Sequence, residues 1–173
     1  MRRPSFPHSR WSVLVCAMYL ELCGGSVYIT NLYLGSLRPL FFTSSDGEAL
    51  MEYLVFASNL GNWIPLAGFI YDSKHGGPRR VIYLGAALTL VGYGGLYLCS
   101  AYRLGASFWQ LWILWFLWGH GSGYFDCAAI STVTANFGES RGKVVGASHS
   151  TRPIACSAFL DTDFSTLTLL CTS

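Results

Sequence analysis

The sequence predicts an all-α membrane protein with about four transmembrane helices. Three observations support this class: 52% of the 173 residues are hydrophobic, only 12% are charged, and the apolar residues fall into four long runs. A soluble domain usually carries about twice that share of charge, and charged side chains are costly in a hydrocarbon interior. The 19 glycines and six tryptophans agree, because transmembrane helices tolerate glycine and tryptophan favours the membrane interface.

Each apolar run is long enough to cross about 30 Å of hydrocarbon, which takes about 20 helical residues. The predicted spans are residues 11–37, 53–71, 81–102 and 108–137. Residues 1–10 are predicted to be a cytoplasmic segment. Beyond Gly146 a fifth span is not expected, because His149, Pro153 and Asp161 interrupt the apolar pattern. Residues 147–173 are therefore predicted to form a divergent, poorly ordered tail.

Basic residues occupy alternate loops. The N-terminus, the link between the second and third spans, and the segment after the fourth span carry Arg2, Arg3, Arg10, Lys74, Arg79, Arg80, Arg141 and Lys143. The remaining two links carry only Arg38 and Arg103. The positive-inside rule then places the N-terminus in the cytoplasm. A cleaved signal peptide is not expected, because the first apolar run is too long and lacks a small-residue cleavage site.

Several function classes are excluded by composition. A net charge of +2 with no basic run longer than two residues does not indicate nucleic-acid binding. The six cysteines include no C-x-x-C pair, so neither a disulfide framework nor a metal site is predicted. No phosphate-binding loop or nucleophile elbow occurs, so we expect neither an enzyme nor a bound cofactor.

The link between the second and third spans has the most specific pattern in the chain. Its residues of interest are Gly68, Asp72, Lys74, Gly76, Arg79 and Arg80. Gly68 is expected to allow close approach of a neighbouring helix, and the Gly76-Gly77-Pro78 run predicts a tight turn. The two arginines would anchor the third span at an anionic leaflet. A purely topological anchor is the simpler interpretation.

This order of residues resembles the loop motif of the major facilitator superfamily. The resemblance implies that the acid and the basic residues form a charge network that stabilises one conformer of a transport cycle. In that superfamily the loop acid often pairs with an arginine near the cytoplasmic end of the fourth span. Arg141 is at the matching position, so the resemblance implies an Asp72–Arg141 pair.

A narrower resemblance, from Arg10 to Gly146, is to the nodulin-like family of major-facilitator proteins. Its motifs include Gly24-Gly25-Ser26, Tyr33 with Ser36 and Arg38, Gly77-Pro78-Arg79, Gly92-Tyr93, Asn136-Phe137 and Arg141-Gly142. The resemblance implies a twelve-span transporter, of which this chain would supply a partial, N-terminal helical bundle. The glycine-rich fifth span of the family is not seen after Gly146.

Two acids lie inside predicted spans. Glu21 and Asp126 are each about ten residues from a span end, roughly 15 Å deep at 1.5 Å per residue. An ionisable residue at that depth is a functional candidate. Proton coupling or substrate binding is one interpretation, with His120 as a relay and Tyr28 and Tyr33 as further contacts. The alternative is a structural polar contact. Within the second span, Asn59 and Asn62 are interpreted as helix–helix contacts.

The sequence therefore predicts a small-solute transporter that works by alternating access, with proton coupling as an option. The alternative is a four-span accessory protein, or an inactive truncation product without transport of its own. The expected partners are the lipid bilayer, an unidentified small solute and a helical partner that supplies the missing half. The protein is expected to be integral and multi-pass, in the plasma membrane or an internal membrane.

Overall fold

The computed structural model describes residues 10–29, 47–102 and 106–151, and all regular elements in these ranges are helical. The helices are α1 (Arg10–Gly24), α2 (Gly47–Trp63), α3 (Leu66–Asp72), α4 (Pro78–Ala101), α5 (Phe108–Asn136) and α6 (Arg141–His149). Short 3-10 helices, Gly25–Ile29 and Gly138–Ser140, follow α1 and precede α6. The all-α prediction is confirmed for this part of the chain.

The third and fourth predicted spans correspond to α4 and α5 almost residue for residue. Pro78 occupies the first turn of α4, where the missing N–H of proline costs nothing. The backbone N–H of Ser107 donates to the Gln110 side chain at 2.9 Å, which caps the start of α5. Local sequence signals therefore set where both long helices begin.

The second predicted span is two helices rather than one. α2 ends at Trp63 and α3 begins at Leu66, because Pro65 cannot donate the hydrogen bond that would continue α2. α2 begins at Gly47, six residues before the predicted span, and its first turns place Met51 and Leu54 in the core while Glu52 faces outward. A continuous apolar run marks only the uniformly hydrophobic part of a helix, and it leaves out an amphipathic first turn such as that of α2.

The first predicted span is also divided. α1 ends at Gly24 and the 3-10 helix continues to Ile29, while residues 30–37 of the predicted span lie outside the described residues. At the other end of the described region, residues 147–149 form the last turn of α6, although they were predicted to begin the poorly ordered tail. The rest of that tail, from residue 152, is outside the described part, as are residues 1–9.

Helix α5 is the centre of the bundle and packs against α1, α2 and α4. Two contacts between a pair of helices give their relative direction. If residue numbers rise together the helices are parallel, and if one rises while the other falls they are antiparallel. α1 and α4 run antiparallel to α5, and α2 runs parallel to it. The pairs that establish this are Trp11–Phe137 and Gly24–Ser122, Gly85–Tyr124 and Gly92–Trp118, and Ser58–Gly119 and Asn62–Gly123.

The four long helices thus alternate in direction along the chain. As a consequence, the start of α1, the start of α4 and the end of α5 share one end of the bundle; the rings of Trp11 and Phe137 lie 6.1 Å apart there. The lysines and arginines of the described residues are at this end, which we call the basic end: Arg10, Lys74, Arg79, Arg80, Arg141 and Lys143. All six are exposed.

Two stretches in the described ranges are long and apolar enough to cross a membrane, Arg10–Tyr28 and Pro78–Ala101. Only 17% of the apolar window of α4 is buried, and Leu90 on its surface is 73% exposed. The core helix of a soluble protein would be mostly buried, so this outward apolar surface is typical of a lipid-facing helix. The helices of the other two predicted spans are not both long and apolar enough. α2 has only 17 residues, and α5 contains glycines and polar residues.

Candidate functional site

The contact between α1 and α5 brings Asp126 to the face of α1 that carries Glu21. The Ser122 hydroxyl donates to the Gly24 carbonyl oxygen at 2.7 Å. A Cβ atom at Gly24 would lie 3.2 Å from Oδ1 of Asp126, so the backbone of α1 passes directly over this carboxylate. Glu21 is one helical turn before Gly24, and both are buried together with Ala17. Ala17, Glu21 and Gly24 thus share the buried face of α1.

Glu21 is fully buried, at 0% exposure, and His149 of α6 lies beside it. Oε2 of Glu21 lies 3.6 Å from Nδ1 of His149, whose side chain is 37% exposed. The two form an ion pair when the imidazole is protonated. In the sequence His149 is only an interruption of an apolar run, and no local signal indicates that it lies beside Glu21.

Helix α6 is held over Glu21 by its last turn. The Thr151 hydroxyl donates to the Ser148 carbonyl oxygen at 2.6 Å and approaches that of Met18 in α1 at 3.5 Å. Val144 and Ser148 are buried and four residues apart, which is the spacing of one helix face. Both residues therefore lie on the buried face of α6, which continues past Gly146 to His149.

His120 contacts α2 rather than either acid. Its Nδ1 atom lies 2.8 Å from the Gly61 carbonyl oxygen, and because a carbonyl only accepts, Nδ1 carries the proton and donates. Residue 65 would normally donate to this carbonyl, but Pro65 has no N–H, and the substitute bond from the Ile64 N–H is long at 3.4 Å. His120 therefore donates to the carbonyl oxygen of Gly61, which Pro65 leaves without its helical donor.

The rings around His120 support the same structural role. The imidazole stacks on Phe116 at 5.8 Å and meets Tyr124 edge-on at 5.0 Å between ring centroids. These partners precede and follow it by four residues on α5, so the three rings form a ladder along one face. Within the described residues His120 is thus seen to contact Gly61, Phe116 and Tyr124, and its role as a relay stays a prediction.

Tyr28 and Asn62 connect the end of α1 to α2. The Asn62 side-chain amide lies 3.4 Å from the Tyr28 hydroxyl, and Tyr28 is 45% exposed. Asn62 also lies against Gly123, where a Cβ atom would be 2.9 Å from its Oδ1 atom. Asn62 is thus a helix–helix contact, as predicted, whereas Asn59 is exposed. The predicted contact residue Tyr33 lies outside the described residues.

The loop after α3 adopts the predicted tight turn. The Gly76 N–H donates to the Ser73 carbonyl oxygen at 2.9 Å, and a Cβ atom at Gly76 would collide with the Ile70 carbonyl. Gly77 has φ of 119°, in a region that side chains other than glycine rarely occupy. Both glycines are therefore required by the backbone path into Pro78.

Two expectations about this loop are not met. Gly68 makes no close approach: a Cβ atom built there meets no described atom within 4 Å, because Ala67 and not Gly68 faces the core. Asp72 lies exposed at the end of α3, and within the described ranges no ion pair joins it to Arg141. The structure therefore brings the charged loop residues to one end of the bundle without pairing these two.

Comparison with known proteins gives one match. A family model described as Nodulin-like matches residues 10–166, which is most of the chain. The match extends beyond Gly146, where the residue pattern of the resemblance ended, and so includes all of α6. No curated protein and no solved structure matches the chain.

Proposed function

The chain belongs to the Nodulin-like family, and from this premise we propose that it is a multi-pass membrane transporter of a small solute. The family is of a transporter-like, membrane type. In the proposed topology α1, the α2–α3 pair, α4 and α5 each cross the bilayer, with the N-terminus in the cytoplasm. The alternating helix directions and the shared basic end support this topology.

The facing acids of α1 and α5 carry the functional proposal. Glu21 is fully buried and Asp126 lies against Gly24 one turn away. A carboxylate kept at this depth is costly unless it is used or paired. In the proposed mechanism Glu21 takes up and releases a proton while Asp126 and Tyr28 contact the solute. Since His149 of α6 lies beside the buried Glu21 here, the proposed proton exchange requires α6 to move away from α1.

The charged loop is proposed to act as a gate at the basic end. Asp72 and Arg141 are both exposed there, each at the boundary of a helix. They are unpaired with each other in this conformer, so the proposal assigns their ion pair to the opposite conformer of the cycle. His120 is left out of the proton path, because its bond to Gly61 serves the backbone.

Alternating access takes place between two helical bundles around a midplane site. The described helices surround α5 and provide one side of such a site. We therefore propose that a second helical bundle, from further residues or from another chain, faces Asp126 and Tyr28. An accessory protein without transport of its own would use the same surface for association.

Transport is tested in proteoliposomes that contain the purified chain and an internal pH indicator, while a panel of neutral, cationic and anionic solutes is offered under a proton gradient. We expect at least one solute to cause proton uptake, and Glu21→Gln to abolish the pH dependence. Glu52→Gln is the matched control, because Glu52 is an exposed acid on α2. Retained pH dependence in Glu21→Gln removes Glu21 from the coupling role. No flux with any solute favours the accessory function.

A further inference from the structure

Helix α6 runs back along the bundle from the basic end and ends beside Glu21. Its nine residues begin at Arg141 and end at His149, whose Nδ1 atom lies 3.6 Å from Oε2 of Glu21. At 1.5 Å per residue α6 extends about 12 Å along its axis. The last turn of this short helix therefore brings one titratable side chain to a fully buried carboxyl group on another helix.

Few contacts hold α6 in this position. Val144 is buried in one apolar cluster with Ala17 of α1. Ser148 is also buried, but its hydroxyl has no hydrogen-bond partner in the described ranges, and the Thr151 hydroxyl approaches the Met18 carbonyl oxygen only at 3.5 Å. A helix of nine residues is marginal in water by itself, so α6 depends on its docking. A modest change in one contact can therefore shift the docking equilibrium.

The contact between His149 and Glu21 depends on the charge of the imidazole. At 3.6 Å it is longer than a hydrogen bond, so a neutral ring gains little from it. A protonated ring is attracted to a carboxylate over this distance, and the attraction is stronger where one partner is buried. Histidine ordinarily changes its charge between about pH 5 and 8. Because the His149 side chain is 37% exposed, it can take up a proton from water while α6 stays docked.

α6 packs against α1 and α5, and the acids of these two helices favour the protonated ring. Glu21 of α1 is beside it, and Asp126 of α5 lies against Gly24, one turn beyond Glu21. The other charged side chains of these helices and of the turn before α6 are exposed at the basic end, more than one turn from the pair: Arg10, Glu139, Arg141 and Lys143. The remaining titratable side chains of α1 are exposed, and those of α5 pack toward α2, α3 or α4: Cys16, Tyr19 and Cys23, and His120, Tyr124 and Cys127.

We propose that His149 is a pH-sensitive latch that holds α6 over Glu21. While the imidazole is protonated, its attraction to the carboxylate favours the docked helix. When the pH rises and the ring loses its proton, docking weakens and α6 leaves α1 more often. Acidification around His149 therefore keeps Glu21 covered. The latch regulates the site proposed above for proton exchange, and only its effect on uptake rests on that proposed function.

Hydrogen–deuterium exchange of the full chain in lipid nanodiscs tests the latch, because a nine-residue helix that leaves the bundle loses its backbone hydrogen bonds. Exchange in α6 is measured at about pH 5.5 and about pH 7.5, near the two ends of the range in which histidine titrates. The rates are corrected for intrinsic exchange at each pH. We expect the protection of α6 to be about twofold lower at the higher pH, the size typical of a partly exposed ion pair. Helix α5 should keep its protection.

Four variants identify the titrating group. His149→Gln stays polar but cannot be protonated, so it should remove the pH dependence of α6, and Glu21→Gln should remove it from the other side of the pair. His149→Arg carries a permanent charge at a partly exposed position and should keep α6 protected at both pH values. His75→Gln is the matched control: it removes an exposed imidazole from the loop before α4 and should leave the pH dependence unchanged.

Three results would overturn the latch. They are equal protection of wild-type α6 at both pH values, pH dependence retained in His149→Gln, and an equal change in α5, which would indicate a general loss of stability. None of them bears on the proposed transport, because exchange is measured without a solute or a proton gradient. Conversely, a chain that shows no flux in proteoliposomes still supports the latch if the exchange of α6 follows pH as described.

Discussion

The contact between α2 and α5 gives the sharpest stability prediction, for the variant Gly119→Ala. A Cβ atom at Gly119 would lie 2.6 Å from both the carbonyl carbon and the Cα atom of Ser58, and closer still to the Ser58 carbonyl oxygen. Ordinary van der Waals contact begins at 3.4 Å. Because the obstacle is backbone, no rotamer change relieves it, and α2 must move away by at least about 0.8 Å.

This displacement also breaks the bond that closes the α2 kink. The His120–Gly61 distance of 2.8 Å would grow to about 3.6 Å, beyond the range of a hydrogen bond. Overpacking costs about 1–3 kcal/mol and the lost hydrogen bond about 1 kcal/mol. The better helix propensity of alanine returns about 1 kcal/mol. We therefore expect Gly119→Ala to destabilise the bundle by about 2 kcal/mol.

The assay is reversible unfolding in mixed micelles, followed by tryptophan fluorescence, with the melting temperature as a second readout. Gly94→Ala is the matched control: Gly94 lies inside α4, and a Cβ atom there meets no described atom within 4 Å. We expect this control to be neutral or more stable by about 0.5–1 kcal/mol. Equal stability of the two variants would refute the close packing of α2 on α5.

The remaining predictions concern the ionisable residues. His120→Leu should lower the free energy of unfolding by about 1–2 kcal/mol, because the kink carbonyl of α2 loses its donor; His75→Leu, at an exposed loop position, should have no effect. A double-mutant cycle of Glu21→Gln and His149→Gln should give a coupling of about 0.5 kcal/mol, since the 37% exposure of His149 screens the pair; zero coupling would remove their contact from the fold. Asp72→Asn should lower the maximal uptake rate more than solute affinity, and unchanged uptake kinetics would eliminate its gating role.

Much of the fold follows from local sequence features. The positions of α4 and α5 follow from apolar length and from residues such as Pro78 that start a helix. The turn at Gly76 and Gly77 was predicted because its backbone path needs glycine, which is a property of neighbouring residues alone. The shared face of Glu21 and Gly24 follows from helical periodicity in the same way.

Predictions that depended on which helix faces which were less successful. Gly68 was expected at a helix contact, but the rotation of α3 directs Ala67 inward instead. His149 was not considered, because its importance comes only from the docking of α6 on α1 beside Glu21. Spacing along one helix gives the angle between residues, but not the direction of the neighbouring helix.

The break between α2 and α3 at Pro65 depends partly on the sequence alone and partly on the tertiary structure. The missing N–H of Pro65 is a property of the sequence by itself, and it leaves the carbonyl oxygen of Gly61 without its helical donor. Only the packing of α5 on α2 decided that His120 supplies the replacement, with its Nδ1 atom 2.8 Å from the Gly61 carbonyl oxygen. The missing donor at Gly61 is a local property, whereas the His120 donor that replaces it comes from 59 residues farther along the chain and is set by the way two helices pack.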